Sequence, residues 1–233
     1  MEVGSPDPTV WAIQMDITMT KQEVLDRILS TGVVAVIRMK DTQRLKKVIE
    51  AIRLGGVKSI EITMTVPGAV DIIADLVKTV PDDVLVGAGT VTDVETANKV
   101  IDAGAKFVVG PILNVDIIKL CNQRGVVIMP GCYTPTEIFT AWKAGADIIK
   151  VFPATSLGPK YLKDIRGPFP DLRLLPTGGV SVDNVGDWIA AGAVAVGIGS
   201  DLLDKKAIDE GRYEVLTERA RRMVENFVKA RTS

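Results

Sequence analysis

VVAVIRMKDTQRLKKVIEAIRLGGVKSIEIT, residues 33 to 63, decides the fold. It opens on a β-branched run, VVAVI (Val33 to Ile37), and closes on another, SIEIT (Ser59 to Thr63). Between them Val48, Ile49 and Ile52 recur with helical spacing, while Lys46, Lys47 and Arg53 take the other face. Two strands separated by a helix pair in parallel, because only a crossover of that length returns the chain to the same end of a sheet. The unit then repeats. VLVGA (Val84 to Ala88), FVVG (Phe107 to Gly110), VVIM (Val126 to Met129), DIIKVF (Asp147 to Phe152), RLLP (Arg173 to Pro176) and AVAVGIG (Ala193 to Gly199) follow at steps of 20 to 25 residues. Each interval has room for a helix of about three turns and two short loops. Pro67, Pro135 and Ser181 mark expected helix starts. Eight such repeats predict a single-domain (β/α)₈ barrel, an α/β fold covering residues 20–233, with an additional N-terminal helix, TKQEVLDRILST, closing its floor. A doubly wound open sheet uses the same alternation and is the alternative. GAGTV (Gly87 to Val91) lacks the third glycine of a dinucleotide fingerprint, which argues against a cofactor of that kind.

Composition narrows the function. The chain has 233 residues, 47% hydrophobic and 24% charged, as one globular domain would. With 28 basic against 29 acidic residues there is no footprint for a polyanion, so nucleic acid is not an expected partner. No run of about 18 apolar residues would cross a bilayer, so neither is a membrane. Histidine is absent. That excludes Ser-His-Asp and Cys-His machinery, argues against a zinc site, and leaves acid–base work to Glu, Asp, Lys, Tyr or water. Two cysteines, Cys121 and Cys132, are too few for a disulfide framework and too distant for a C-x-x-C motif, which fits a reducing, cytoplasmic setting and a packing role for both. Residues 1–19 carry no Lys or Arg and are broken by Pro6 and Pro8, unlike a targeting signal. They are expected to lie outside the barrel as an extension, with Trp11 and Ile13 free to dock on it or on a neighbouring subunit.

Charges stand where strands should be apolar. In SIEIT, Ile60 and Ile62 take the helix-facing side, which turns Ser59, Glu61 and Thr63 inward. In DIIKVF the same parity groups Ile148, Lys150 and Phe152. A buried Glu61 and a buried Lys150 are each costly alone, so each is the other's expected partner. The plain reading is a structural ion pair. The chemical reading is an amine that attacks a carbonyl as the free base, favoured by desolvation, beside a carboxylate that moves protons. Arg38, just past the first strand, is a candidate for holding a carboxylate, or a surface cation. Thr90 adds a hydroxyl at the same rim. Thr177, Gly178 and Gly179 follow the seventh strand, and Gly197, Ile198, Gly199 and Ser200 end the eighth, the two loops where barrels bind phosphate on backbone N–H groups.

EIT (Glu61 to Thr63), GAGTV, PG-x-x-TPTE (Pro130 to Glu137), KVFPA (Lys150 to Ala154), GPFP (Gly167 to Pro170), PTGGV (Pro176 to Val180) and GIGS (Gly197 to Ser200) together resemble the 2-keto-3-deoxy-6-phosphogluconate and 4-hydroxy-2-oxoglutarate aldolases. The resemblance covers about residues 20 to 230, in order and with matching spacing. It implies a class I aldolase on a (β/α)₈ barrel, usually trimeric, using neither metal nor organic cofactor. Its partners would be a phosphorylated 2-keto acid, pyruvate and glyceraldehyde 3-phosphate. It also implies roles: Lys150 as the Schiff-base lysine, Glu61 as acid and base, Thr90 on the pyruvyl carboxylate, Pro111 and Phe152 lining the pocket, Thr177 beside the substrate, and Gly178, Gly179, Gly199 and Ser200 on the phosphate. Many relatives carry an arginine four residues after the glutamate, where this chain has Thr65, and Arg38 is the candidate replacement. Three rival readings remain. A galactonate-type aldolase differs in C4 configuration, and Thr177 weighs against it. A decarboxylase would use Asp147 with Lys150, although strand parity points those two to opposite faces. A non-catalytic barrel would only sense a phosphometabolite.

Overall fold

The computed structural model describes residues 19–232. Residues 1–18, with Trp11 and Ile13, lie outside them. The chain begins with helix α1 (Lys21–Thr31) and then alternates: β1 (Val33–Ile37), α2 (Thr42–Leu54), β2 (Ser59–Thr63), α3 (Ala69–Thr79), β3 (Leu85–Gly89), α4 (Val94–Asp102), β4 (Phe107–Val109), α5 (Val115–Gln123), β5 (Val127–Met129). It continues through β6 (Gly131–Cys132), α6 (Pro135–Lys143), β7 (Ile149–Val151), α7 (Gly158–Arg166), β8 (Leu174–Pro176), α8 (Val185–Ala190), β9 (Val196–Ile198), α9 (Lys205–Asp209) and α10 (Tyr213–Thr232). Side chains that accept backbone N–H groups fix several helix starts: Asp41 before α2, Asp93 before α4, Asn114 before α5, and capping boxes Thr20–Glu23 and Thr134–Glu137 before α1 and α6.

All strand pairs are parallel, in the orders β5-β4-β3-β2-β1-β9 and β6-β7-β8. β5 and β6 are two halves of one stave, divided at Pro130, which has no N–H for the ladder. Lys150 still donates its backbone N–H to the Pro130 carbonyl at 3.0 Å, so the pairing carries on past the break. Bridges Leu174↔Ala193 and Thr177↔Gly197 join β8 to the β9 stave and close the ring. A closed ring of eight staves in chain order is a barrel, which disposes of the doubly wound alternative. The helix AVDIIADLV expected after Pro67 begins at Ala69 behind the left-handed Gly68, whereas α8 begins at Val185 because residues 182–184 form a turn after Ser181.

Strand alternation sorts the core into two layers. Val33, Ala35, Ile37, Ile60, Ile62, Val86, Val108, Ile128, Ile149, Val151 and Leu174 pack outward against the helices. Val34, Leu85, Phe107, Val109, Val127, Met129, Ile148, Leu175 and Ala195 fill the lumen. Val24, Leu25 and Ile28 of α1 belong to that inner cluster, so α1 plugs the N-terminal end of the barrel. Lys21 anchors the plug through an ion pair to Asp147 at 2.9 Å. Sealing the floor with side chains leaves the C-terminal end as the open mouth. Among the described residues no helix is long and apolar enough to cross a membrane.

Ile28 is completely buried in this plug. Ile28→Ala should cost roughly 2–5 kcal/mol of stability in urea unfolding, since the lumen cannot collapse around the lost methylenes. A cost below about 1 kcal/mol, the range of surface changes, would mean that α1 does not seal the floor.

Candidate active site

β2 and β7 stand four staves apart in either direction around the ring, so side chains that point inward from them meet across the lumen. Register sets their heights: Glu61 lies level with Val36 and Gly87, and Lys150 with Gly131 and Leu175. The parity read from the sequence holds, and the two charges come together. Lys150 Nζ is 3.9 Å from Glu61 Oε1, with 6% and 2% of the residues exposed. That distance exceeds a hydrogen bond. The charges stabilise one another, yet a group about 2.8 Å from each fits at the apex between them. Glu61 Oε1 has no hydrogen-bond partner among the described residues. Lys150 Nζ also lies 5.2 Å from the centre of the Phe152 ring, within the range of a cation–π contact.

Room for the carboxylate comes from β3, whose inward residues above Leu85 are glycines. A Cβ on Gly89 would stand 2.6 Å from Glu61 Oε1, and one on Gly87 would enter the Phe107 ring. Gly89 therefore acts as a backstop that holds Glu61 flat against the strand. The next residue, Thr90, has φ 59°, and it is the non-glycine residue with positive φ among those described. A β-branched side chain in that region is strained. The turn after β3 is thus held in a costly shape, directly beside the glutamate.

The other candidates line the rim. Thr63 is fully buried and shares a 2.7 Å hydrogen bond with Thr65. Pro111 packs its backbone on Gly131. Thr177 is 9% exposed, touches Gly197, and its hydroxyl has no partner among the described residues. Gly178 and Gly179 have φ 95° and 73°, which L side chains rarely adopt, and a Cβ on either would crowd Thr155. Gly199 and Ser200 line a pocket of about 430 Å³ with Arg38, Lys40, Arg44 and Lys205. Arg38 leans toward this pocket, its Nη1 3.9 Å from where a Cβ on Gly199 would sit. The rim therefore offers backbone amides, hydroxyls and cations on the β1, β8 and β9 staves, the arrangement an anion needs.

Other sequence candidates leave the site. Asp147 sits at the floor, bound to Lys21 and to the Ile128 N–H, so it is no partner for Lys150. Glu137 of the PG-x-x-TPTE motif accepts the N–H groups of Thr134 and Tyr133, which hold its carboxyl below the usual range as a helix cap. Burial pushes the Cys121 and Cys132 thiols up to about 12, so both pack as neutral side chains. Among the described residues no three His, Cys, Asp or Glu side chains are grouped to hold a metal ion. Sequence reasoning placed Thr63 inward without giving it a role and passed over Gly89, for which the GAG run of β3 carried the signal.

The family model "KDPG and KHG aldolase" matches residues 24–218. The chain is 36% identical to the KHG/KDPG aldolase of Escherichia coli (strain K12) over 202 residues, covering 86% of this chain and 94% of that one. It is also 36% identical over 148 residues to the 2-dehydro-3-deoxy-6-phosphogalactonate aldolase of the same organism, covering 63% and 72%. A solved KDPG aldolase from Legionella pneumophila, with pyruvate captured as a covalent carbinolamine intermediate, superimposes with a TM-score of 0.78 at 28% identity, covering 85% of this chain and 96% of that one.

Gly89→Ala tests the backstop. The added methyl should drive Glu61 off its position and lower turnover at this site by about tenfold to a hundredfold, the usual cost of a displacement near 1 Å; undiminished turnover would show that the glutamate's position is not set by β3. Thr90→Gly should do the reverse for stability, raising it by about 0.5–1 kcal/mol as strain is relieved while turnover falls. A less stable Thr90→Gly protein in denaturant titration would show that the turn is not strained.

Proposed function

The chain belongs to the KDPG and KHG aldolase family, and from that premise we propose that it is a class I aldolase cleaving 2-keto-3-deoxy-6-phosphogluconate to pyruvate and glyceraldehyde 3-phosphate. The observation that carries the reading is the buried Lys150 amine held 3.9 Å from the buried Glu61 carboxylate, at the one end of the lumen that α1 does not close.

In this mechanism the Lys150 amine adds to the C2 ketone, giving a carbinolamine, which loses water to form an imine. Glu61 is near enough to Nζ to pass the required protons through a group bridging the two. The protonated imine draws electrons. Glu61 takes the C4 hydroxyl proton, directly or through a bridging water, the C3–C4 bond breaks into the imine, and glyceraldehyde 3-phosphate departs. The enamine left on Lys150 takes a proton at C3. Water then adds at C2 and releases pyruvate and the free amine. Run backwards, the same steps form a carbon–carbon bond. Low exposure helps, because a dry site strengthens the attraction between the iminium and the carboxylate.

The substrate's two anionic ends find different parts of the rim. The pyruvyl carboxylate fits the hydroxyls after β2 and β3, Thr63, Thr65 and Thr90, which is where the missing arginine's role falls. The phosphate fits Gly178, Gly179, Gly199 and Ser200, with Arg38 leaning to that side. Pro111 and Phe152 border the space between. The Thr177 hydroxyl, unpartnered and buried, supports a hydrogen bond to a substrate hydroxyl and favours the gluconate over the galactonate epimer. The same activity extends to unphosphorylated 4-hydroxy-2-oxoglutarate, whose cleavage needs the 2-keto acid end and the C4 hydroxyl but no phosphate. Assembly as a trimer and a cytoplasmic location belong to this reading and are supported by family membership alone.

Incubation with pyruvate and borohydride should add a reduced pyruvyl group to one lysine, and peptide mass mapping should find it on Lys150. A folded protein whose Lys150 stays unmodified, or one that releases carbon dioxide in place of pyruvate, would overturn the assignment.

A further inference from the structure

A Gly-Gly turn has two soft residues and no side chains to hold its shape, so Gly178 and Gly179 need restraint from outside to keep their amides aimed at an anion. The restraints form a chain of hydrogen bonds. Asn184 donates from Nδ2 to the Gly179 carbonyl at 2.8 Å and accepts the Ser181 N–H at 2.8 Å. One residue on, the Val182 N–H donates to Asp201 Oδ2 at 2.8 Å. Asp201 directly follows Ser200, so this single bond ties the loop after β8 to the loop after β9. Helix α10 holds both ends from behind. Arg219 donates to the Asp201 carbonyl at 2.6 Å and reaches Asp204 at 2.8 Å, and Asn226 donates to the Val182 carbonyl at 2.8 Å.

We infer that Asp201 is a positioning residue: with Arg219 behind it, it clasps the two anion-binding loops at a fixed separation and so sets recognition of the substrate's phosphate. The inference rests on the phosphate reading above. A phosphate that bridges Gly179 and Ser200 senses the distance between the loops. The pyruvyl half of the substrate meets Lys150, Glu61 and the hydroxyls after β2 and β3, and does not. Loss of the clasp therefore weakens binding of a phosphorylated substrate and leaves the carbon–carbon cleavage intact.

The test compares the phosphorylated 2-keto acid with unphosphorylated 4-hydroxy-2-oxoglutarate on the full-length enzyme. Asp201→Ala should raise KM for the phosphorylated substrate about tenfold, the scale of one lost charge-assisted hydrogen bond, with kcat nearly constant. Its kcat/KM for the unphosphorylated substrate should stay within about twofold of the parent's. Asp201→Asn, whose amide oxygen still accepts from Val182, should recover most of the loss. Arg219→Met, which frees the clasp from α10, should act in the same direction and serves if Asp201→Ala does not fold. Equal losses on both substrates, or no change in KM, would overturn the clasp. Ser200→Ala, measured in parallel, separates the two layers of the inference. If it raises KM for the phosphorylated substrate while Asp201→Ala does not, the clasp alone fails. If it spares that substrate, the phosphate reading fails and takes the clasp with it.

Discussion

A carboxylate and an amine share the inside of a barrel whose other inward side chains are mostly apolar, and neither could be there alone. Removing either partner of a buried ion pair leaves a charge that the lumen cannot solvate, which is far more costly than losing the attraction itself. The two residues spring from opposite staves, and their side chains meet across the lumen at 3.9 Å, an ion pair beyond hydrogen-bonding distance. Electrostatics keeps them in place, and geometry keeps them available.

The same closure explains the division between floor and mouth. Below Glu61 and Lys150 the lumen is filled by Phe107, Val127, Ile148 and the plug from α1, and these side chains can only pack. Toward the mouth, Gly89, Thr63 and Thr177 leave space and offer hydroxyls beside the apolar Val109 and Met129. The change from Leu85 to Gly87 and Gly89 along β3 opens that side of the packed cylinder. Lys21 with Asp147 marks the lower boundary, a charged pair spent on structure, whereas Lys150 with Glu61 lies on the side facing substrate.

Much of this was legible in the sequence because period-2 alternation is a strict code. Once Ile60 and Ile62 are assigned to the helix side, Glu61 has nowhere to go but inward, and the same step fixes Lys150. The eight repeats gave the barrel for the same reason. What could not be read depends on contacts between distant segments. Glu137 differs from Glu61 locally, standing three residues after Thr134 in a capping-box pattern, and the N–H groups it accepts show that cap in place. Ser181 misplaces its helix because a serine permits a start without compelling one, and a tight turn at residues 182–184 intervenes. Thr90 looked like a donated hydroxyl, and its positive φ was hidden because sequence records a side chain and not the backbone shape imposed on it.

The order of staves around the ring has a mechanical consequence. β9 pairs with both β8 and β1, so the loops that carry Gly179 and Ser200 stand next to Arg38, one stave from Glu61. In the proposed reading the anion end of a substrate is anchored on the staves that close the barrel, and the reacting end on β2, β3 and β7. In that reading, binding energy gained at the anion end helps hold C2 against Lys150, because the hydrogen-bonded sheet carries both loops and the restraints on the Gly178-Gly179 turn limit its give. An open sheet with the same strands would place those loops at a free edge, where their separation would vary with twist. Closure supplies more than stability: it gives the distance between the recognised group and the bond that breaks a fixed value.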